Sequence, residues 1–204
     1  MNQEDNKTAV NDIKENASFS QPYMIIRNWD KKIESLQQIE GIDKLVRTTG
    51  LDIDTIVEVL NFDFPDDVKL DEIKDENGVK IEDLISKTIN IKNQLLEYLF
   101  VIAYPTVVRP NLTSMTQFEA GGEVILITDG EADMTFASQV LEDHIPSSSL
   151  RTERVKKGDL IIISNIPNNW TKIYGDNLKF KYFVGNPNGN HKYSEVIKKS
   201  IPIR

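Results

Sequence analysis

The sequence predicts an α+β protein in which an N-terminal helical region packs on a C-terminal antiparallel β-barrel. Three observations carry that expectation. Apolar residues recur at helical spacing up to about residue 104, they alternate at period two after Pro105, and Gly, Asp and Asn clusters punctuate the second half as turns. The expected divisions are a disordered tail over 1–20, a helical region over 21–104, a barrel over 105–187 and a C-terminal extension over 188–204.

The tail, MNQEDNKTAVNDIKENASFS, is too poor in large apolar groups to offset the entropy lost on ordering. It has no apolar core of signal-peptide length and carries acidic residues, so no export or import signal is expected and a cytoplasmic location is the default. The longest apolar run, LLEYLFVIAYP over 95–105, is broken by Glu97 and falls far short of the roughly 20 residues that span a bilayer. No membrane partner is expected. The absence of cysteine excludes disulfides, thiolate metal sites and cysteine nucleophiles.

The helical region opens with Ile33, Leu36 and Ile39, then Ile53, Ile56, Val57 and Leu60 at i, i+3, i+4 and i+7, with Asp52 as the cap. Ile81, Leu84, Ile85, Thr88, Leu95, Leu96 and Leu99 extend the pattern into a longer helix, reached through a connector containing VKLDEI, DENG and VKIEDL. The charge is uneven. Of 32 acidic and 24 basic residues, net -8, residues 51–83 alone hold twelve Asp or Glu against three Lys, a local -9, whereas 150–204 is Lys-rich. TTGLDIDTIVEVL has the rhythm of a helix-turn-helix, but Asp52, Asp54 and Glu58 stand where phosphate-pairing residues would be needed, so no nucleic-acid partner is expected. The acidic stretch reads as a solvated helical face or as a docking surface for a basic partner.

In the second half, TSMTQFEA, EVILIT, ADMTF, RTERV, DLIIIS, WTKIY and KFKYFV read as strands, separated by GG, DG, KKGD, PNN and GDN. Two of these stretches resemble the paired motifs of the cupin family, a small jelly-roll barrel. Glu123, VILITD and Gly130 match the end of the first motif, and KKGDLIIISNIPNNW resembles the second through Gly158-Asp159, an apolar strand and a proline before a polar residue and an aromatic. The resemblance covers about residues 105–187.

Metal-binding cupins carry a His-x-His pair before the glutamate and a further histidine after the second-motif proline. Here those positions fall on Gln117 and Glu119, and on Asn168 or Asn169; the family glycine before the pair is Asn111. The only histidines, His144 and His191, lie in expected loops. Without imidazole at these positions, iron, nickel, copper and zinc sites are disfavoured and no cofactor is expected.

Alternate residues of a strand share a face, so Gln117 groups with Glu119, and Asn168 with Trp170, Lys172 and Tyr174. With Glu123 pointing inward, the barrel would hold a polar cavity. The main expectation is a metal-independent enzyme of isomerase, epimerase, cyclase or lyase type. Glu119 and Glu123 would share acid and base roles, and Lys172 would stabilise an oxyanion or form a Schiff base. Gln117, Asn168, Asn169, Trp170 and Tyr174 would bind the ligand. The alternatives are a non-catalytic small-molecule-binding cupin domain, an oxygen-ligand site for calcium, magnesium or manganese, and a barrel whose polar groups only pair with one another. The loop SQVLEDHIPSSSL is a candidate lid. The resemblance also implies pairing through strand edges, and a homodimer is expected.

Overall fold

A computed structural model of the chain describes residues 17–20, 23–30, 32–43, 46, 52–62, 71–74, 78, 80–91, 94–103, 112–118, 122–184 and 198–204. Eleven strands appear among them: β1 (Ala17–Ser20), β2 (Tyr23–Ile26), β3 (Asp71–Lys74), β4 (Lys80–Ile91), β5 (Gln94–Ala103), β6 (Ser114–Phe118), β7 (Glu123–Ala137), β8 (Leu150–Lys156), β9 (Leu160–Ile163), β10 (Asn168–Val184) and β11 (Lys198–Pro202). Helices α1 (Ile33–Gln37) and α2 (Ile53–Asn61) lie between β2 and β3 among the described residues. The strands form one antiparallel sheet in the order β1-β2-β9-β7-β10-β5-β4-β3, with β8 on β7 and with β6 joining β10 to β11. Among the described residues this pairing runs as an open path, so the expected closed barrel is not what their hydrogen bonds describe.

The long helix expected over residues 81–99 is corrected by β4 and β5, which pair from Glu82 opposite Ala103 to Ile91 opposite Gln94. The misreading has a physical cause. Ile81, Ile85 and Ile89 lie four apart, and so do Leu95 and Leu99; residues four apart share a face in a helix and in a strand alike. What separates the two is β-branching, and Ile81, Ile85, Thr88, Ile89 and Ile91 favour the pleated form. Ala17–Ser20, placed in the disordered tail by composition, pair with β2 as β1; residues 1–16 lie outside the described residues. In the expected C-terminal extension, Lys198–Pro202 pair with β6.

The helix at 53–61 forms where its spacing places it. Asp52 caps it by accepting a hydrogen bond from the Thr55 amide at 2.7 Å, and Ile53, Ile56, Val59 and Leu60 are buried. Each such side chain contributes roughly 1.5–3 kcal/mol through removal from water. Asp52→Ala is expected to lower stability by about 1 kcal/mol, read as a shift in the urea midpoint at unchanged slope.

Two long strands bend and split the sheet. β7 turns at Gly130 (φ 74°) and β10 at Gly175 (φ 78°), conformations that side chains disfavour. Beyond the bend the inward parity reverses. Ile125 and Ile127 face the interior from the first half of β7, whereas Ala132, Met134 and Phe136 do so from the second. The first half of β7 pairs with β9 and the second with β8. The outer side of the first half carries Val124 and Leu126, which join Met24, Leu160 and Ile162 beneath the helices and their Leu36, Ile56 and Leu60. The interior holds Tyr23, Ile25, Met134, Phe136, Ile161 and Phe180 among others, with Tyr23 stacked on Phe136 at 3.8 Å. A smaller cluster of Met115, Ala137, Ile145 and Ile201 closes one end.

The candidate lid over 138–150 is tied down. The Ile145 amide donates to Pro202 O (2.8 Å), the Arg204 amide to Ile145 O (3.0 Å) and the Ser138 amide to Ser149 O (3.1 Å). Asp143 bonds His144 Nδ1 and Arg204 Nη1, each at 2.7 Å. The His144 hydrogen bond is the main cause of a lowered Asp143 pKa; desolvation opposes it, and the Arg204 charge adds to the lowering. No helix among the described residues is long and apolar enough to cross a membrane.

Candidate functional site

Glu123 opens β7 and pairs with Ile163 on one side and Val184 on the other. It stands on the inward parity of Ile125 and Ile127, and it is only 1% exposed. Asn168, the first residue of β10, is also buried, and its Nδ2 donates to Glu123 Oε1 at 3.1 Å and to Ile166 O at 3.3 Å. Two acceptors on one NH2 group fix the orientation of the amide. Trp170, next on the same face, packs half-buried against the interior cluster with its ring 5.0 Å from Phe180. Gln117 of β6 donates from Nε2 to Asn165 O at 3.0 Å, which ties β6 to the segment leading into Asn168. Asn165 holds the left-handed conformation there (φ 41°), one that Asn tolerates better than most residues. Glu119 and His191 lie outside the described residues.

Lys172 and Tyr174 do not join this group. Strand alternation expects them beside Asn168 and Trp170, but the pairing of β10 with β7 slips between Trp170 and Lys172. Trp170 lies opposite Met134 and Lys172 opposite Asp133, so Thr171 is an extra residue in the ladder, a bulge. One extra residue reverses every following face. Ile173 therefore turns inward, while Lys172 and Tyr174 turn to the outer side with Asn169, whose partner is Thr135. Thr171 stays there too, bonding Asp133 O at 3.1 Å and Thr135 Oγ1 at 3.3 Å.

On that outer side Tyr174 donates to Asp133 Oδ2 at 2.7 Å, with the Arg154 guanidinium 3.2 Å above its ring and the Lys172 ammonium 4.7 Å away. Arg154 also pairs with Glu131 at 2.6 Å. Desolvation opposes its charge, but the Glu131 hydrogen bond and the nearby Glu131, Tyr174 and Asp133 groups outweigh it and raise the Arg154 pKa. This cluster satisfies itself on the surface.

The expected polar cavity is therefore corrected to an interior lined mainly by Ile, Met and aromatic side chains, with Glu123 and Asn168 as a buried polar pair. Among the described residues this donor set contains no imidazole. Asn168 turns its NH2 toward Glu123, so the two groups satisfy each other and do not present converging oxygens. Among the described residues no group of three or more His, Cys, Asp or Glu is placed to hold a metal ion. The oxygen-ligand site needs Glu119 as well.

Sequence reasoning passed over Lys181, which is 6% exposed and donates to Phe62 O at 2.8 Å and Leu60 O at 3.3 Å, clasping the end of α2 from β10. It also passed over Arg27. That residue bonds Asp159 Oδ2 at 2.8 Å and Arg154 O at 2.6 Å, and approaches Glu153 at 3.6 Å, close to the Tyr23 hydroxyl bond to Glu153 at 3.3 Å. A lone arginine in an apolar run, YMIIRNW, carries no pattern that names its partner.

No family model matches the chain, and no curated protein matches it. Solved structures of oxalate decarboxylase from Bacillus subtilis are similar at low identity. A serine-to-alanine mutant of that enzyme aligns at 14% identity and TM-score 0.43, covering 65% of this chain and 29% of that chain. Its structure at pH 4.6 aligns at 13% and 0.41, covering 57% and 28%. A glutamate-to-alanine mutant aligns at 12% and 0.43, covering 64% and 29%. This chain thus matches less than a third of the length of those chains.

Proposed function

We propose that the chain is a small-molecule-binding protein with a cupin-like sheet, and that its ligand is a polar molecule bearing N–H or O–H donors, held at Glu123, Asn168 and Trp170. The observation that carries this reading is the burial of the Glu123 carboxylate, 1% exposed, against the Asn168 amide in an otherwise apolar interior. A carboxylate in that position is costly to keep, and a Leu or Ile would pack there at less cost. Trp170 beside it offers a half-buried aromatic wall. Binding is preferred to acid–base turnover on geometric grounds. Of the three groups assigned to catalysis, Glu123 alone is on the inward side among the described residues, because Thr171 sends Lys172 outward.

The test is a thermal-shift screen against amines, sugars, sugar nucleotides and keto acids, run on the parent and on Glu123→Gln. The carboxamide can still accept from Asn168, so the unliganded melt should hardly move. A ligand bonded to the charged oxygen should lose about 1.5–3 kcal/mol, roughly ten- to a hundredfold in Kd. A ligand that stabilises both proteins equally places the site elsewhere and removes this reading.

A further inference from the structure

The interior side of β7 and β10 carries more than a carboxylate. Tyr182 lies opposite Ile125 and Phe180 opposite Ile127, so both rings stand on the side that Glu123 shares with those isoleucines. Glu123 is diagonal to Tyr182 across the ladder, about 7–8 Å at the backbone and within reach of an aromatic side chain. Phe180 meets Tyr182 edge to face at 6.5 Å and Trp170 at 5.0 Å with the planes 35° apart. Asn168 precedes Trp170 on the same face and returns to Glu123 through the 3.1 Å hydrogen bond. These side chains run in a circuit, with a carboxylate at one point and aromatic rings along the rest.

Trp170 is where this circuit meets solvent. Phe180 and Tyr182 are buried, whereas Trp170 and Ile166 are only partly buried against the same cluster. The polar groups are one-sided. Asn168 spends both N–H groups within the protein, on Glu123 and on Ile166 O, and so offers a ligand no donor. Glu123 accepts there, and a carboxylate has about four lone-pair directions. Asn165, on the segment that ends at Asn168, keeps its Oδ1 buried without a hydrogen-bond partner, an acceptor that an N–H donor would satisfy. Lys172 is turned outward, and Lys181 bonds the end of α2 from the opposite side of β10. The ring faces carry the negative end of the aromatic quadrupole and attract cations, more strongly where water is excluded.

We propose, resting on the reading that the ligand sits at Glu123, Asn168 and Trp170, that this ligand is an organic ammonium ion bearing at least one N–H. Its head meets the Glu123 carboxylate and its carbon lies against Trp170 and Phe180. An organic anion would face a carboxylate and ring faces of its own sign. A neutral polyol would need donors from the site as well as acceptors, and Asn168 has none to give. A hard metal cation would need several oxygens, which apolar walls do not supply.

Isothermal titration calorimetry of the full chain near neutral pH tests this with probes matched in shape: tert-butylammonium against tert-butanol, and cyclohexylammonium against cyclohexanol. Each alcohol keeps an O–H donor and lacks only the charge. At least one ammonium should bind, at least about tenfold tighter than its alcohol. Tetramethylammonium, which has the charge but no N–H, should bind more weakly than tert-butylammonium. Glu123→Gln should erase most of the preference for charge, and Trp170→Leu should weaken the ammonium at least about tenfold. Trp170→Phe, with a smaller loss expected, replaces the leucine variant if that one melts early. No binding by either ammonium, or equal affinity for an ammonium and its alcohol, would overturn the proposal. D-glucose and pyruvate are the neutral and anionic controls: binding of either that depends on Glu123, with no ammonium bound, would overturn the cation and leave the site standing. An ammonium held as tightly by Glu123→Gln and by the Trp170 variant as by the parent would overturn the site as well.

Discussion

Phe136→Ala is expected to destabilise the fold by about 3–5 kcal/mol, the largest loss from any single core truncation proposed. Phe136 is completely buried and its ring stacks on Tyr23 at 3.8 Å with the planes 11° apart. The stack joins the second half of β7 to β2, two strands that do not hydrogen-bond to each other. Truncation therefore empties a space that neither strand can move to fill without breaking its own ladder, and it also removes the aromatic pair. Phe136→Leu retains most of the volume and should recover more than half of the loss. Guanidinium melts of the three proteins decide it. A shift for the alanine variant below about 1 kcal/mol would mean that the two halves of the sheet do not share one packed interior.

The same residue shows what the sequence made legible. Alternation in ADMTF and in EVILIT separates the inward from the outward residues within each run, and Gly130 marks where the parity reverses. A positive-φ glycine is visible in a sequence because few other residues tolerate the conformation. The bulge at Thr171 has no such mark. Any residue can be the extra one in a ladder, and the slip is set by which partners β7 presents, so alternation groups Lys172 and Tyr174 with Asn168 while the ladder places them on the other side. The β4–β5 pair was hidden for another reason, since four-residue spacing serves both periods, and only β-branching argues for strands. Of the candidate site, Glu123 and Asn168 meet at 3.1 Å and Trp170 shares their side, while Gln117 reaches only the neighbouring segment.

Asp159→Ala is expected to cost about 3 kcal/mol, more than any other polar substitution considered. The Gly158-Asp159 turn was one of the residue pairs that carried the family resemblance, and the geometry gives it a structural task. Asp159 is fully buried; its Oδ2 accepts from the Lys156 amide at 2.9 Å, closing the turn between β8 and β9, and from Arg27 Nη1 at 2.8 Å, tying the end of β2 to it. Gly158 (φ 91°) permits the turn, and its carbonyl accepts from the Trp29 amide at 2.8 Å. Loss of the carboxylate leaves the Lys156 amide without its acceptor and the Arg27 guanidinium with Arg154 O and the longer Glu153 contact. Removing one partner of a buried pair typically costs 3–5 kcal/mol, and the partial exposure of Arg27, 25%, sets the expectation near the lower end. Asp159→Asn separates the two contributions. The amide oxygen can accept from both donors, and its NH2 would occupy the place of Oδ1, which has no hydrogen-bond partner among the described residues. If the charge matters less than the acceptor, Asp159→Asn should keep at least half of the stability that Asp159→Ala loses. Equal losses for the two would instead make the ion pair with Arg27 the dominant restraint, and Arg27→Met should then cost as much as either.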